Sequence, residues 1–195
     1  FLQYEKALAK EPKLQSARYK RGMLLLSRGM NDEALKTFDE ILAQDPRYAP
    51  ALEGRGRVRM AAGDFGGAME CFNEALAADP KLWQVHALKG YLYDRRRDYD
   101  AAIAEYEKGI AVNGKSGMLF NNLGMSHFMK KDYSRAIDAY VKAVRIDSAN
   151  RRVFNNLGLA LFKVGRYDEA LQAFRQGGDE AAAYNNMGCL YLAEK

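Results

Sequence analysis

The sequence lacks the features of a membrane-spanning chain. A spanning helix needs ~18 or more consecutive apolar residues, and no run in this chain approaches that length. The longest apolar candidate, Met23–Leu26, has the length of a buried stripe on an amphipathic helix. We therefore predict no direct insertion of this sequence into a membrane.

Residues that carry catalysis or bind metals are also scarce. The chain has two histidines, His86 and His127, and two cysteines, Cys71 and Cys189. They do not have metal-ligand spacing, and neither a phosphate-binding glycine loop nor a nucleophile–base set accompanies them. The sequence thus predicts no catalytic residue, no metal site and no cofactor, and Cys71 is interpreted as a small core residue.

The charge balance gives little support for nucleic-acid binding. The chain has 30 basic and 25 acidic residues, for a net charge of +5. Its basic clusters, such as Arg95–Arg97 and Lys130–Lys131, alternate with Asp98, Asp100 and Asp132. No base-stacking pattern accompanies them. We expect a solvated basic edge, with an acidic protein surface as the alternative partner and no nucleic acid.

The sequence does have an internal repeat. Glycine recurs every 34 residues, except for a last interval of 30, at Gly22, Gly56, Gly90, Gly124, Gly158 and Gly188. An alanine follows each of the first five glycines by 12 residues, at Ala34, Ala68, Ala102, Ala136 and Ala170. An aromatic residue follows each by 16, at Phe38, Phe72, Tyr106, Tyr140 and Phe174. A fixed period of this length is typical of a helical repeat array.

This register resembles the tetratricopeptide repeat (TPR) family over the whole chain. The resemblance implies an all-α fold, a right-handed α-solenoid of antiparallel helix pairs with about 12 helices. Small residues let two helices approach closely, so we expect the glycines and alanines to mark the contacts within each pair. Aromatic side chains should fill the volume around them.

The register also sets the boundaries of a single array over residues 1–195. Residues 1–14 align with the second helix of a truncated repeat, and 181–195 with the first helix of another. We therefore expect the chain to be a fragment cut inside repeats at both ends, which leaves the choice between cytoplasm and periplasm open. The full repeats are predicted at 15–48, 49–82, 83–116, 117–150 and 151–180.

Turn residues predict where the helices begin and end. Asp64, Asp98 and Asp132 stand where a helix N-cap is expected, and Ser116 can cap another helix. The first two repeats end in an Asp-Pro dipeptide, at Asp45-Pro46 and Asp79-Pro80. The third repeat has Asn113-Gly114 at that position, which suits a left-handed C-cap.

The fifth repeat is four residues shorter than the others. Its second helix should end by Gln176 or Gly177, with a positive φ at Gly177 or Gly178. A neutral loop deletion and an altered stacking geometry both explain the shortening. The shortened repeat running into Glu180–Gly188 also resembles TadD-like bacterial TPR proteins of pilus assembly.

In TPR arrays one face of the first helices lines a concave surface, and asparagines recur there. Asn122, Asn156 and Asn186 each stand two residues before a repeat glycine, and Asn121, Asn155 and Asn185 precede them. An amide offers both a donor and an acceptor, so such a column can pair with an extended peptide backbone. For this we expect the amides of Asn122, Asn156 and Asn186 to be uncommitted to buried intramolecular bonds. It resembles the asparagine ladder of O-GlcNAc transferase. The alternative is that these asparagines only pack one helix against another.

Apolar residues on the same face indicate a partner surface. The remaining predicted groove residues are Met118, Met125, Met129, Leu159, Arg57 and Tyr91. We therefore predict a non-catalytic scaffold that binds an extended protein or peptide segment, within a bacterial assembly such as pilus or secretion machinery. The alternatives are a self-associating architectural module, with contacts through the truncated ends, and an accessory subunit of an enzyme complex.

Overall fold

A computed structural model of the chain describes residues 15–193. This part contains eleven α-helices and no strand. The helices are α1 (Gln15–Ser27), α2 (Asn31–Gln44), α3 (Ala49–Ala61), α4 (Phe65–Ala78), α5 (Trp83–Arg95), α6 (Tyr99–Val112), α7 (Gly117–Met129), α8 (Tyr133–Ile146), α9 (Arg151–Lys163), α10 (Tyr167–Gly177) and α11 (Glu180–Ala193). The predicted all-α fold is confirmed, while the helix expected within residues 1–14 lies outside the described residues.

The chain divides into two compact units between Val85 and His86. In the first unit α1 packs on α2 and α3 packs on α4, and in the second unit α8 lies against α7 and α9, and α10 against α9 and α11. Fully buried aromatic residues and alanines form the core of each unit, with Phe38 and Ala34 in the first and Tyr140 and Ala136 in the second.

The repeat glycines make room for the repeat aromatics. A Cβ built on Gly22 would lie 2.6 Å from the Phe38 ring, and one built on Gly124 would lie 2.7 Å from the Tyr140 ring. Both distances are too short for a real contact, so each ring lies directly on the glycine of its own repeat. This close approach explains why glycine recurs in mid-helix despite costing about 1 kcal/mol relative to alanine. The aromatics thus form the contact itself, where we expected them to fill the space around it.

A left-handed residue closes the turn inside each helix pair. Three of these turns use Gly29, Gly63 and Gly165, with φ between 75° and 81°. The third and fourth repeats have Arg97 and Lys131 at the same register position, with φ of 61° and 63°. The chain therefore adopts one turn geometry throughout, and two repeats maintain it with residues that disfavour it.

Replacing Lys131 with glycine should stabilise the second unit by about 1 kcal/mol, because glycine takes a left-handed conformation without a Cβ clash. Urea denaturation followed by circular dichroism measures the change. Lys131→Ala is the matched control, since it removes the same side chain but keeps the unfavourable backbone. An equal gain in both variants would show that the lysine side chain, not the backbone, is responsible.

Three aspartates cap the second helices α4, α6 and α8, and one serine caps α7, as predicted. The Asp64, Asp98 and Asp132 carboxylates accept from backbone N–H groups three residues later, at 2.9, 3.2 and 3.2 Å. The Ser116 hydroxyl accepts from the N–H of Leu119 at 3.4 Å. These confirmed caps fix the start of the four helices.

The prediction of a left-handed cap at Asn113-Gly114 is wrong. Asn113 has φ −134° and ψ 80°, and its side-chain oxygen accepts from the N–H of Lys115 at 3.2 Å. Asp45, Asp79 and Asp147 form the same side-chain turn in the other connectors. The Asp or Asn before each connector therefore sets its geometry, and the proline that follows two of them is dispensable.

The short fifth repeat ends its second helix where expected but leaves it differently. Helix α10 ends at Gly177, with 11 residues against 14 in α8. The predicted positive φ is wrong, because Gly178 is extended, with φ −157° and ψ −153°. This extended residue places the Asp179 carboxylate to accept from the N–H of Ala182 at 2.7 Å, which caps α11.

Candidate functional site

The three predicted groove methionines of the second unit are exposed, whereas Leu159 is half-buried. Met118 and Met129 each have an exposed fraction of 50%, and Met125 of 37%. All three lie on α7, beside the asparagines of that helix. Exposed large apolar side chains grouped in this way are typical of a partner-binding surface.

The asparagines of α7 and α9 are joined by hydrogen bonds. The Asn156 Nδ2 donates to Asn121 Oδ1 at 3.0 Å, and the Asn121 Nδ2 donates to Asn122 Oδ1 at 3.3 Å. The expectation that Asn122 and Asn156 have uncommitted amides is therefore wrong. Half-buried amides on neighbouring helices satisfy each other when they come within reach, so the column also helps to hold α9 on α7.

Two pockets lie on either side of this amide chain. The first encloses about 270 Å3 and is lined by Tyr91, Asp94, Tyr99, Tyr106, Asn122, Met125 and Met129. The second encloses about 340 Å3 and is lined by Asn155, Asn156, Leu159, Phe174, Asn186, Cys189 and Leu190. We call these two pockets and the amide chain between them the asparagine groove. Met118 lies in a further depression with Asn121 and Arg152, whereas Asn185 is exposed and lines neither pocket.

Asp94 is the charged group of the first pocket. Its carboxylate accepts from the Tyr106 hydroxyl at 2.8 Å and from the Ser126 hydroxyl at 2.7 Å. Burial raises the pKa of the Asp94 carboxyl, and the two hydrogen bonds oppose that shift. Burial and the nearby Asp94 charge both raise the pKa of Tyr106. The tyrosine therefore remains a neutral donor at neutral pH.

The sequence analysis did not predict Asp94 and Ser126 as site residues. A comparison of the repeats at their register positions could have indicated them. Asp94 stands four residues after its glycine, where the other repeats have Leu26, Met60, Phe128 and Phe162. Ser126 stands two after its glycine, where the others have Leu24, Val58, Leu92 and Ala160. Two polar residues at apolar register positions in neighbouring repeats predict a buried polar pair.

Asn155 occupies a tight place in the second pocket. Its Oδ1 is buried and has no hydrogen-bond partner among the described residues. A Cβ built on Gly177 would lie 2.8 Å from the Asn155 Cγ and 2.9 Å from the Arg151 carbonyl oxygen. The shortened repeat therefore needs glycine here, where the second and fourth repeats have Ala75 and Ala143.

Arg57, the predicted groove residue of the first unit, is paired with a buried acid. Its Nε lies 2.9 Å from Glu53 Oε1, and the Tyr19 hydroxyl lies 3.4 Å from Glu53 Oε2. Burial together with the Glu53 charge raises the pKa of Tyr19 to about 12. Arg57 thus neutralises a buried carboxylate on its own helix, α3.

The remaining sequence predictions concern cysteines, metals and membranes. Both cysteines are free, with Cys71 buried and Cys189 exposed. Residues 15–193 contain no group of three or more His, Cys, Asp or Glu side chains placed to hold a metal ion. Within the same residues, every helix is too short or too polar to cross a membrane.

The chain matches the tetratricopeptide repeat family over residues 3–49, 19–82 and 87–151, and a second description of the same repeat matches 152–177. A search of curated proteins found no significant match.

Three solved structures show the fold that these matches imply. MamA is 24% identical, with a TM-score of 0.72 over 80% of this chain and 91% of that one. PilF of Pseudomonas aeruginosa is 23% identical, with a TM-score of 0.77 over 84% of this chain and 76% of that one. YrrB, described as a TPR protein with an unusual peptide-binding site, is 18% identical, with a TM-score of 0.71 over 95% of this chain and 97% of that one.

Proposed function

Because the chain belongs to the tetratricopeptide repeat family, we propose that it is a protein-interaction scaffold that binds an extended partner segment in the asparagine groove. Repeats of this family are typically non-catalytic interaction modules. The observation that carries the proposal is the group of exposed methionines beside the amide chain. Methionine is flexible and polarisable, and it suits a surface that adapts to a partner.

The amides have bonding capacity left after they pair with each other. An asparagine side chain has two N–H donors and an oxygen with two lone pairs. The Asn156 oxygen and the second N–H of Asn121 therefore remain for a peptide backbone. Each net hydrogen bond contributes about 0.5–1.5 kcal/mol, so apolar contacts from Met125, Met129 and Leu159 must supply much of the affinity.

A random-peptide phage library selected against the whole chain tests this proposal. We expect selected peptides to bind Met125→Gln/Met129→Gln at least about tenfold more weakly, because these changes remove apolar contact area at nearly constant size. Val112→Gln is the matched control, since Val112 is similarly exposed (42%) at the end of α6. Peptides that bind parent, groove variant and control equally would contradict the groove.

A second variant separates backbone recognition from helix packing. Changing Asn122, Asn156 and Asn186 to alanine should weaken the selected peptides by about tenfold while the helical circular dichroism persists, because alanine favours helix. Unchanged binding would rule out the amides as ligands for the peptide. A loss of helical signal would instead assign them to packing between helices.

Two narrower proposals concern the setting of this scaffold. A place in a bacterial pilus or secretion assembly is supported by the resemblance of the shortened fifth repeat running into Glu180–Gly188. Deleting the gene that encodes this chain tests it, because the deletion strain should lose its pili or its secretion. Self-association is supported by α11, where Tyr191 and Leu192 have exposed fractions of 45% and 73%. Sedimentation velocity over a concentration series distinguishes a self-associating module from a monomeric scaffold.

A further inference from the structure

The first pocket of the asparagine groove holds a carboxylate without a cation. Among residues 15–193, no lysine, arginine or histidine nitrogen lies within 4.0 Å of the Asp94 carboxylate. Its partners are the neutral hydroxyls of Tyr106 and Ser126. Half-buried carboxylates are usually paired with a positive charge, so a negative site faces this pocket uncompensated.

The walls of the pocket suit a positive charge as well. Tyr91, Tyr99 and Tyr106 bring three aromatic rings to the same pocket, and Met125 and Met129 bring two polarisable thioethers. Aromatic faces attract lysine and arginine groups, and methionines accommodate the long apolar stems of these side chains. The pocket opens to solvent where Tyr91 and Met129 are exposed.

The basic residue that follows Asp94 in the sequence, Arg95, has another partner at this pocket. Arg95 donates from Nη1 to the Tyr91 hydroxyl at 3.4 Å, at the edge of the pocket, and it does not reach Asp94. Lys130 pairs with Asp100. The carboxylate is therefore open to an external cation.

We propose that this pocket binds the cationic side chain of a lysine or arginine in the partner segment, with Asp94 as its counter-ion. The pocket lies in the asparagine groove, so the inference rests on the proposed peptide-binding function. It adds that the partner segment carries a basic residue at the position that reaches Asp94.

Capped amino acids test the pocket without any knowledge of the partner. Nα-acetyl-lysine methylamide and its arginine counterpart are titrated into the 15N-labelled chain, with the neutral norleucine compound as the isostere. We expect amide shifts around Tyr91, Asp94 and Asn122, with norleucine binding roughly tenfold more weakly because it lacks the charge. Equal shifts with norleucine would overturn the proposal.

Asp94→Asn is the decisive variant, and the fold should accept it because both hydroxyl partners can donate or accept. It should abolish the preference for the cationic compounds. Asp100→Asn is the control, since it removes the same charge from an exposed neighbour (80% exposed). An equal loss in Asp100→Asn would show that net charge alone attracts the probes, which also overturns the proposal. Unchanged 15N spectra away from the pocket establish that each variant is folded.

The peptide selection separates this inference from the function on which it rests. Groove-dependent peptides with a recurrent lysine or arginine, whose advantage disappears in Asp94→Asn, support both. Groove-dependent peptides without a basic residue overturn the cation pocket and leave the groove. A selection without groove-dependent peptides overturns the groove, and the amino-acid titration then decides the pocket by itself.

Discussion

Replacing Gly124 with alanine should destabilise the second unit by about 2 kcal/mol, although alanine has a higher helix propensity than glycine. Alanine would gain up to about 1 kcal/mol from propensity. Its Cβ would, however, lie 2.7 Å from two carbons of the Tyr140 ring. That ring is fully buried, so it has little room to move away. Forcing an extra carbon into such a core costs about 1–3 kcal/mol and sometimes more.

Gly188→Ala is the matched control for this prediction. Gly188 has the same register position, but a Cβ built on it meets no atom within 4 Å. There the propensity gain should appear alone, as a stabilisation of up to about 1 kcal/mol. Urea denaturation of the parent and both variants measures the two effects. A Gly124→Ala variant as stable as Gly188→Ala would show that the Tyr140 ring tolerates a Cβ, and that close packing does not explain the repeat glycines.

The repeat register predicted the fold because it records local packing. A glycine, an alanine and an aromatic residue at fixed spacing indicate which helix faces pack together. Capping aspartates indicate where helices begin. These signals lie within one repeat. Structural details that depend on neighbouring repeats were harder to predict, as the amide chain from Asn156 to Asn121 shows.

Backbone geometry was predicted least well. The left-handed turn recurs at one register position. It is not recognisable from the sequence at Arg97 and Lys131, because arginine and lysine rarely adopt a positive φ. At Asn113-Gly114 the glycine suggested a left-handed cap, whereas the asparagine side chain forms the turn. Residue type therefore predicted the wrong backbone conformation here, because a side-chain hydrogen bond determines it.

Buried polar residues were visible in the sequence only as breaks in an apolar register. Asp94 and Ser126 are one such pair, and His86 with Glu105 is another. The His86 Nδ1 lies 2.7 Å from Glu105 Oε2. The other repeats have Thr37, Cys71, Ala139 and Ala173 where the third has Glu105. A histidine or an acid in such a position needs a polar partner. The repeat register does not predict which residue that partner is.

Glu105 is the centre of a buried charge cluster in the second unit, formed with His86, Lys89 and Lys108. The Glu105 side chain is 6% exposed, and its Oε1 lies 3.2 Å from Lys89 Nζ and 3.0 Å from Lys108 Nζ. Lys89 and His86 are themselves 12% exposed. Removing the carboxylate would leave the Lys89 ammonium largely buried without its counter-ion and the His86 ring without its hydrogen-bond partner.

Replacing Glu105 with alanine should therefore destabilise the second unit by about 3 kcal/mol, since breaking a buried ion pair from one side leaves an uncompensated charge. Lys108→Ala is the control, because Lys108 is 59% exposed and exposed pairs contribute about 1 kcal/mol or less. Urea denaturation at neutral pH measures both. Equal losses in the two variants would mean that Glu105 contributes no more than a surface pair.

The pH dependence of the same comparison identifies the ionised carboxylate as the cause. Burial disfavours the charged form, but hydrogen bonds from His86 and Lys108 and the charge of Lys89 together hold the pKa of Glu105 below its usual 4.5. A carboxyl whose pKa is lower in the folded state stabilises the fold above its unfolded pKa, and that contribution is lost as pH falls through the folded pKa. The gap in unfolding free energy between the parent and Glu105→Ala should thus be constant from pH 7 down to about 5 and shrink as pH falls below 4.5. A gap that stays constant through the acid range would show that Glu105 acts through packing, and that the buried cluster is not held by its charge.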